Sequence, residues 1–407
     1  MMAAGVAFHT HHVEAVFHTK KARKLSKNTL PPSPRAARLS MRSKGTRPTK
    51  INGTMPQVGH AAVSKPPLNK ASMILEKRWP RFPSFTELFL FFCLFMTNFQ
   101  NFGQSYAFLA YLCAKFHPMK RTYQVAGHKF AVVMPDNHLA WNEMRSYEPF
   151  LSEDSEDLIF TVEMIDLMPD TSAKQKVTVS CESPDEARIE LYECDGMWLL
   201  EIAPALEAPV RVYLLTDKDF RQARFRILGS MRFSIGAVLM LMFAFATAQK
   251  NTLLMHSSVT VKDGKAYLFL GKSGTGKSTH SQLWINNIEG CELLNDDNPV
   301  LRVEDNGEVR VYGSPWSGKT PCYRNLDYPV GAIVDLHQAK TNRIQRLPIV
   351  LAYAAMYVSY SGYRFIKEMA DGLHATNEKI VGVVPCYSLD CLPNAEAAFL
   401  CYQTIAQ

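Results

Sequence analysis

The sequence lacks several patterns by which a class of protein is commonly recognised. Its nine cysteines form no C-x-x-C pair, and no histidine cluster accompanies the closest two, Cys386 and Cys391. This absence excludes the usual zinc spacings and a secreted disulfide framework, so we expect buried or incidental thiols in a reducing cytosol. The longest apolar run of the first 118 residues, LFLFFCLFM at Leu88–Met96, is also well below the roughly 18 residues that span a bilayer.

Acidic residues are scarce in the first part of the chain. Residues 1–118 contain 17 lysines and arginines but 3 acidic residues, whereas residues 119–407 contain 28 against 35. The formal net charge of +7 therefore comes entirely from the leading segment. Because the remaining body is acidic, the composition argues against a nucleic-acid partner.

Residues 1–118 differ in character from the rest of the chain. The first 80 show no hydrophobic periodicity and have a composition typical of disorder. Met119 opens MKRTYQVAGHKFAVVMP, in which a methionine that could start translation is followed at once by a strand pattern. We interpret residues 1–118 as an over-extended gene start or a dispensable leader, with a weak membrane anchor or a targeting peptide as the alternative.

The chain after Met119 is predicted to form a mixed α/β fold, α+β overall, with two domains. Residues 119–220 are predicted to be strand-rich, because β-branched and aromatic segments alternate with polar turns, and Tyr147–Leu151 is predicted to be a connection. In the second domain, residues 221–407, the segment Ile235–Ala248 is apolar on almost all sides and is predicted to be a buried helix. Further strands and helices follow, with a largely helical stretch after Pro348.

The segment LFLGKSGTGKSTHSQLW, Leu268–Trp284, contains a complete phosphate-binding loop. Its G-x-x-x-x-G-K-[ST] pattern, Gly271–Ser278, stands between a predicted strand and a predicted helix. The glycines allow backbone N–H groups to turn toward an anion, Lys277 is expected to contact the β- and γ-phosphates, and Ser278 is expected to bind Mg²⁺. The predicted nucleotide-binding residues of the loop are Gly271, Ser273, Gly274, Thr275, Gly276, Lys277, Ser278 and Thr279.

Two further motifs flank the loop. LLNDD ends a predicted strand in the adjacent carboxylates of Asp296 and Asp297. Because side chains alternate faces along a strand, one carboxylate can bind a metal ion while the other accepts a proton. MHSS, on the strand before the loop strand, would place His256 near the γ-phosphate if both strands end at the same edge of the sheet, although a buried core histidine is an equal alternative.

Together these three motifs resemble those of the superfamily of HPr kinase/phosphorylase and phosphoenolpyruvate carboxykinase. The resemblance is strong over residues 253–300, looser to residue 347, and extends to HPr-kinase-related proteins in which a strand-rich domain comes first. It implies a carboxykinase-like nucleotide-binding core in which Asp296 is the general base and Asp297, with Ser278, binds the metal. It also implies that His256 and Lys277 are catalytic residues beside the transferred phosphate.

The chain departs from this family after the aspartate pair. YGSPWSGKTPCYRN replaces the glycine-rich signature of HPr kinases, and Gly318 and Lys319 within it are candidates for a second phosphate or substrate contact, with a surface turn as an equal alternative. Arg343 and Arg346, after the DLHQ segment, are candidates for a substrate-binding arginine by their location alone.

The motifs favour an ATP-dependent kinase that uses Mg²⁺ or Mn²⁺ and transfers the γ-phosphate to a hydroxyl, chiefly a serine of a protein, peptide or small molecule. A nucleotide-binding sensor or degenerate kinase, and a carboxykinase-like enzyme, are the alternatives. The sequence has neither the N-K-x-D motif of GTPases nor the LSGGQ-like signature of ABC-type ATPases. We expect a cytoplasmic protein without a nucleic-acid or membrane partner, and self-association stays open.

Overall fold

The computed structural model describes residues 6–7, 118–180, 187–318, 320–364 and 366–406. By their contacts, all of the described residues belong to one compact unit. The predictions for the leader fall almost entirely outside the described residues, and the prediction for Lys319 falls outside them too.

A first sheet of nine strands forms the strand-rich region that the sequence predicts. Its strands are β2 Pro118–Val125, β3 His128–Pro135, β4 Leu151–Ser152, β5 Leu158–Met164, β6 Gln175–Ser180, β7 Arg188–Cys194, β8 Met197–Ala203, β9 Val212–Thr216 and β10 Gln222–Ile227, in the order β4-β2-β3-β5-β10-β9-β8-β7-β6. The pairs β3–β5 and β5–β10 are parallel and the others are antiparallel. Strand β10 was not predicted, because residues 221–227 were assigned to the second domain. Its Arg224 and Arg226 alternate with the buried Ala223 and Phe225, as an exposed strand face requires.

A second sheet of nine strands contains the loop strand. Its strands are β11 Thr252–Leu254, β12 Ser257–Lys262, β13 Lys265–Leu270, β14 Glu292–Asp297, β15 Val300–Val303, β16 Val309–Tyr312, β17 Asp327–Gln338, β18 Arg343–Arg346 and β20 Cys386–Cys391. The main path runs β11-β15-β16-β17-β13-β12-β14, and β20 pairs with both β17 and β18. The short strands β1, Val6–Ala7, and β19, Gly362–Tyr363, form a separate pair.

Six helices lie within the described ranges. They are the 3-10 helix Leu139–Phe150 and the α-helices α1 Met231–Thr247, α2 Lys277–Asn287, α3 Ile349–Tyr357, α4 Lys367–Val383 and α5 Ala395–Ile405. The prediction of α1 as a buried helix is confirmed, since every residue from Ala237 to Phe245 has less than a tenth of its surface exposed. The predicted connection at Tyr147–Leu151 is instead the end of the 3-10 helix followed by β4.

The predicted mixed α/β fold is therefore confirmed as two large mixed sheets with helices packed on them. The six cysteines in the described part of the chain are all free thiols, as expected from their spacing. None of the helices described here is both long and apolar enough to cross a membrane.

Candidate functional site

The phosphate-binding loop has the backbone conformation that its glycines allow. Gly271, Gly274 and Gly276 have φ angles of 137°, 72° and 107°, a region that residues with a Cβ rarely enter. A Cβ on Gly271 would lie 3.1 Å from the backbone oxygen of Leu336, so this glycine also permits the close approach of β17. The loop thus needs glycine both for its turns and for its packing.

Helix α2 begins at Lys277, directly after the loop. Its N-cap is Gly276, which provides no side-chain hydrogen bond to the first turn. The backbone N–H groups at such a helix start have no partner within the helix and carry the positive end of the helix dipole. The N-terminus of α2 therefore offers the combination that binds phosphate.

Strand pairing brings the other two motifs to this loop. In the antiparallel pair β12–β14, Ser257 lies opposite Asp297 and Ser258 lies opposite Asp296. On its other side β12 pairs with β13, so that the start of β12 meets the end of β13, where the loop begins. His256 immediately precedes β12, and it is held there by a 2.7 Å hydrogen bond from its backbone N–H to the Ser359 oxygen.

His256 lies between the loop lysine and the second aspartate. The Nζ atom of Lys277 is 2.6 Å from Nε2 of His256 and 2.9 Å from the backbone oxygen of Gly271. Nδ1 of His256 is 3.3 Å from Oδ1 of Asp297. Because an ammonium group only donates, Nε2 accepts and the imidazole proton sits on Nδ1, which faces Asp297. The histidine is buried, with 3% of its surface exposed, but it faces the site rather than the apolar core.

Burial changes the pKa of Lys277 and the pKa of Asp297, the two residues on either side of His256. It lowers the pKa of Lys277 to about 8, although the nearby Asp297 and Asp296 act in the opposite direction. It raises the pKa of Asp297 to about 7, an effect that Lys277 opposes and Asp296 reinforces. Both shifts have the same origin, the removal of charged groups from water.

Asp296 is also buried, with 3% of its surface exposed. Its Oδ2 atom has no hydrogen-bond partner within the described residues. Its backbone oxygen accepts a 2.6 Å hydrogen bond from the N–H of Gly318, which ties the loop after β16 to the aspartate pair. A Cβ on Gly318 would lie 2.9 Å from that oxygen, so this position requires a residue without a side chain.

These groups line one cleft of about 250 Å³. The cleft contains the following predicted site residues: His256, Ser273, Gly274, Gly276, Lys277, Ser278, Thr279, Asp296, Asp297 and Gly318. Gly271 and Thr275 belong to the loop but do not line the cleft, and Arg343 and Arg346 lie on β18 outside it. The structure therefore brings together residues from three separate sequence motifs.

The donor atoms of the cleft suit a small hard cation. Ser278 contributes a hydroxyl, and Asp296 and Asp297 contribute carboxylate oxygens, one of which lacks a partner. Mg²⁺ bound with a nucleotide usually takes one or two carboxylates and completes its shell with phosphate oxygens and water. Within the described ranges, no group of three histidine, cysteine, aspartate or glutamate residues could hold a metal ion by itself.

Gln338 supports the phosphate-binding loop and was not among the predicted site residues. Its Nε2 atom donates to the backbone oxygen of Gly274 at 2.9 Å. Gln338 ends β17, which runs parallel to β13. The sequence showed the DLHQ strand, but no local pattern indicated that β17 is the neighbour of the loop strand.

Comparison with solved structures finds the HPr(Ser) kinase/phosphatase from Coxiella burnetii. The two chains are 14% identical, the match covers 38% of this chain and 88% of that chain, and the TM-score is 0.24. At that score the likeness is weak and carries no argument about activity. No protein-family model and no curated protein matches the chain.

Proposed function

We propose that this protein is an ATP-dependent kinase that transfers the γ-phosphate to a hydroxyl group. The observation that carries the proposal is the meeting of Lys277, His256 and both aspartates in the 250 Å³ cleft at the start of α2. A phosphate-binding loop alone supports nucleotide binding. The two carboxylates beside it supply what a transfer to a hydroxyl additionally needs, a proton acceptor and a metal ligand.

The chain's own residues have distinct roles in this reaction. The loop N–H groups and Lys277 hold the phosphates, and Asp296 takes the proton of the acceptor hydroxyl. The acceptor oxygen forms a bond to the γ-phosphorus while the bond from that phosphorus to the β,γ-bridging oxygen breaks, and ADP leaves. A magnesium ion held by Ser278 and Asp297 would neutralise charge on the phosphates when bound.

Asp297 is a second candidate for the proton acceptor. It lies on the wall of the phosphate cleft and also on that of a neighbouring cavity, whereas Asp296 lines the cleft alone. Either assignment gives the same reaction, since one carboxylate of the pair binds the metal and the other takes the proton.

The first test is turnover of labelled ATP with candidate acceptors, together with calorimetric ATP binding. We expect Asp296→Asn to bind ATP normally while its phosphate transfer falls by about 10²–10⁴-fold, the usual contribution of a general base. Asp297→Asn should shift the Mg²⁺ concentration that gives half-maximal turnover. Asp305→Asn, in the exposed hairpin turn between β15 and β16 and outside the cleft, is the matched control.

The outcomes separate the alternatives. Normal turnover by Asp296→Asn combined with a loss in Asp297→Asn would assign the proton to Asp297. ATP binding without transfer to any acceptor would favour a nucleotide sensor, and an absence of ATP binding would refute the kinase. Decarboxylation or carboxylation of a keto acid would favour a carboxykinase-like enzyme.

A further inference from the structure

A second cavity, of about 210 Å³, adjoins the phosphate cleft. Asp297 lines both spaces, and Ser317 of the second cavity directly precedes Gly318 of the first. A molecule in the second cavity would therefore lie beside Asp297, next to the cleft that contains the loop. Because the acceptor of a transferred phosphate has to lie next to the phosphate site, this cavity is a candidate for the acceptor site.

Three elements build the walls of this cavity. The 3-10 helix contributes Tyr147, the first turns of α1 contribute Arg232, and the loop after β16 contributes Trp316. Nε1 of Trp316 donates to the hydroxyl of Tyr147 at 2.8 Å, and the two rings meet at 87°. Both side chains are buried, so this wall is fixed by packing as well as by the hydrogen bond.

The polar groups of the cavity carry both signs of charge. Arg232 and Glu143, the latter on the 3-10 helix, line its wall, and both are exposed residues with charged side chains. Asn298 lines the cavity as well; it is 2% exposed, and its Oδ1 atom has no hydrogen-bond partner within the described residues. A buried acceptor atom without a partner is costly, and a bound ligand that donates a hydrogen bond would satisfy it.

The size of the cavity favours a small ligand. Sites for drug-sized molecules typically measure roughly 300–1,000 Å³, and this cavity is smaller. Arginine binds carboxylates through paired hydrogen bonds, while a carboxylate such as Glu143 attracts an ammonium group. A small molecule with a carboxylate at one end, an ammonium group beside it and a hydroxyl at the other end matches both the volume and the charges.

We propose that this cavity binds the phosphate acceptor and that the acceptor is a small hydroxylated amino acid of the serine type. The carboxylate would bind Arg232, the ammonium group would face Glu143, and the hydroxyl would point past Asp297 toward the γ-phosphate. This inference rests on the proposed kinase function and names its substrate class.

The test uses the full chain with Mg²⁺ and a non-hydrolysable ATP analogue, with L-serine as the probe. Calorimetry should show L-serine binding to the wild type, and Arg232→Gln should weaken it by about tenfold or more, as expected for loss of a charged hydrogen-bonded pair. Glu143→Gln should do the same. Arg224→Gln, on an exposed position of β10 outside the cavity, should leave binding unchanged.

Probes that lack one functional group of L-serine test which side chain binds the carboxylate and which binds the ammonium group. Ethanolamine, which has no carboxylate, should bind the wild type weakly and respond little to Arg232→Gln. Glycolate, which has no ammonium group, should respond little to Glu143→Gln. With hydrolysable ATP, the Arg232 variant should raise the KM for L-serine while the KM for ATP stays constant.

The results distinguish this inference from the proposed function. ATP binding without binding of L-serine, L-threonine or L-homoserine would refute the acceptor assignment and leave the kinase proposal standing. Phosphorylation of a protein acceptor that is equally fast in wild type and Arg232→Gln would refute it too. A chain that binds no ATP would refute the kinase, and serine binding that Arg232→Gln abolishes would then support the cavity as a site of its own.

Discussion

At the scale of single residues, His256 connects the two charged groups of the site. It accepts from Lys277 through one ring nitrogen and faces Asp297 with the other. The Nζ atom of Lys277 thus has three oxygen and nitrogen contacts at the loop, to His256, Gly271 and Lys272. Because burial lowers the pKa of Lys277 to about 8, its charge depends on pH near neutrality.

This leads to a prediction for ATP affinity. Phosphate favours the ammonium form of Lys277, so ATP binding takes up a proton when the pH exceeds about 8. The affinity should therefore be constant at lower pH and should fall as the pH rises above about 8, by at most about tenfold per pH unit. Calorimetry in buffers of different ionisation enthalpy measures both the affinity and the proton uptake.

Lys277→Arg is the control for this prediction, because a guanidinium group stays charged over the same pH range. The variant should bind ATP more weakly but with an affinity independent of pH. A falling affinity in this variant as well would assign the effect to another group.

At the scale of elements, the close packing of α4 on the end of α1 supports the core. A Cβ on Gly372, within α4, would lie 2.4 Å from the backbone oxygen of Ala248 and 2.9 Å from Cα of Gln249. Backbone atoms cannot move aside as a flexible side chain can. The absence of a side chain at Gly372 therefore sets the distance between the two helices.

Gly372→Ala should lower the free energy of unfolding by about 1–3 kcal/mol, the usual effect of overpacking. Gly382→Ala in the same helix has nothing within 4 Å of the added Cβ and should raise it by about 0.5–1 kcal/mol, because alanine restricts the unfolded chain. Urea unfolding of both variants measures the difference. Equal changes in the free energy of unfolding would show that the contact between Gly372 and Ala248 does not exclude a side chain at Gly372.

At the scale of the whole molecule, the two sheets are joined by a buried polar contact. Nε2 of His128, on β3, is 2.8 Å from Oγ1 of Thr252, on β11, and that hydroxyl donates to the Lys250 oxygen. The histidine nitrogen therefore donates, which places a proton on Nε2, and the lowered pKa of the buried ring keeps His128 neutral near pH 7. Nη1 of Arg302 adds a 2.7 Å hydrogen bond to the Ala126 oxygen in the turn between β2 and β3.

The buried position of His128 predicts how stability changes with pH. Burial, reinforced by Arg302 and Lys250, lowers the pKa of His128 from 6.5 to about 3. Between these two values the unfolded chain binds a proton that the folded chain does not. The contribution to stability is thus complete above pH 6.5 and is lost as the pH falls toward 3.

His128→Gln should make the free energy of unfolding less dependent on pH below 6.5, measured by urea unfolding at several pH values. Some dependence should stay, because burial also lowers the pKa of His280, to about 4. Thr252→Val is the control: it removes the hydrogen bond but keeps the titrating ring, so stability should drop while the pH dependence persists. If the free energy of unfolding of His128→Gln depended on pH as steeply as that of the wild type, His128 would not be the group responsible.

Much of the fold could be predicted where the signal is local. The phosphate loop, the helix after it, the buried helix α1 and most strands follow from glycine positions and hydrophobic periodicity. Among the strands that were not predicted, β18 is short and mostly exposed, and β20 stands between helices in a stretch that looks helical. Strand β20 pairs with both β17 and β18. These pairings provide the backbone hydrogen bonds that the local sequence does not indicate.

The sequence by itself determined the chemistry that the phosphate cleft contains, because the loop, the aspartate pair and the MHSS motif each depend on residue type and short spacing. Only the tertiary structure decided which of these groups touch. The antiparallel pairing of β12 with β13 and β14 places His256 between Lys277 and Asp297, and the packing of the 3-10 helix and α1 places Arg232 on the wall of the cavity that Asp297 also lines. Such contacts join residues far apart in the chain, and they depend on burial and strand register, which no short pattern records.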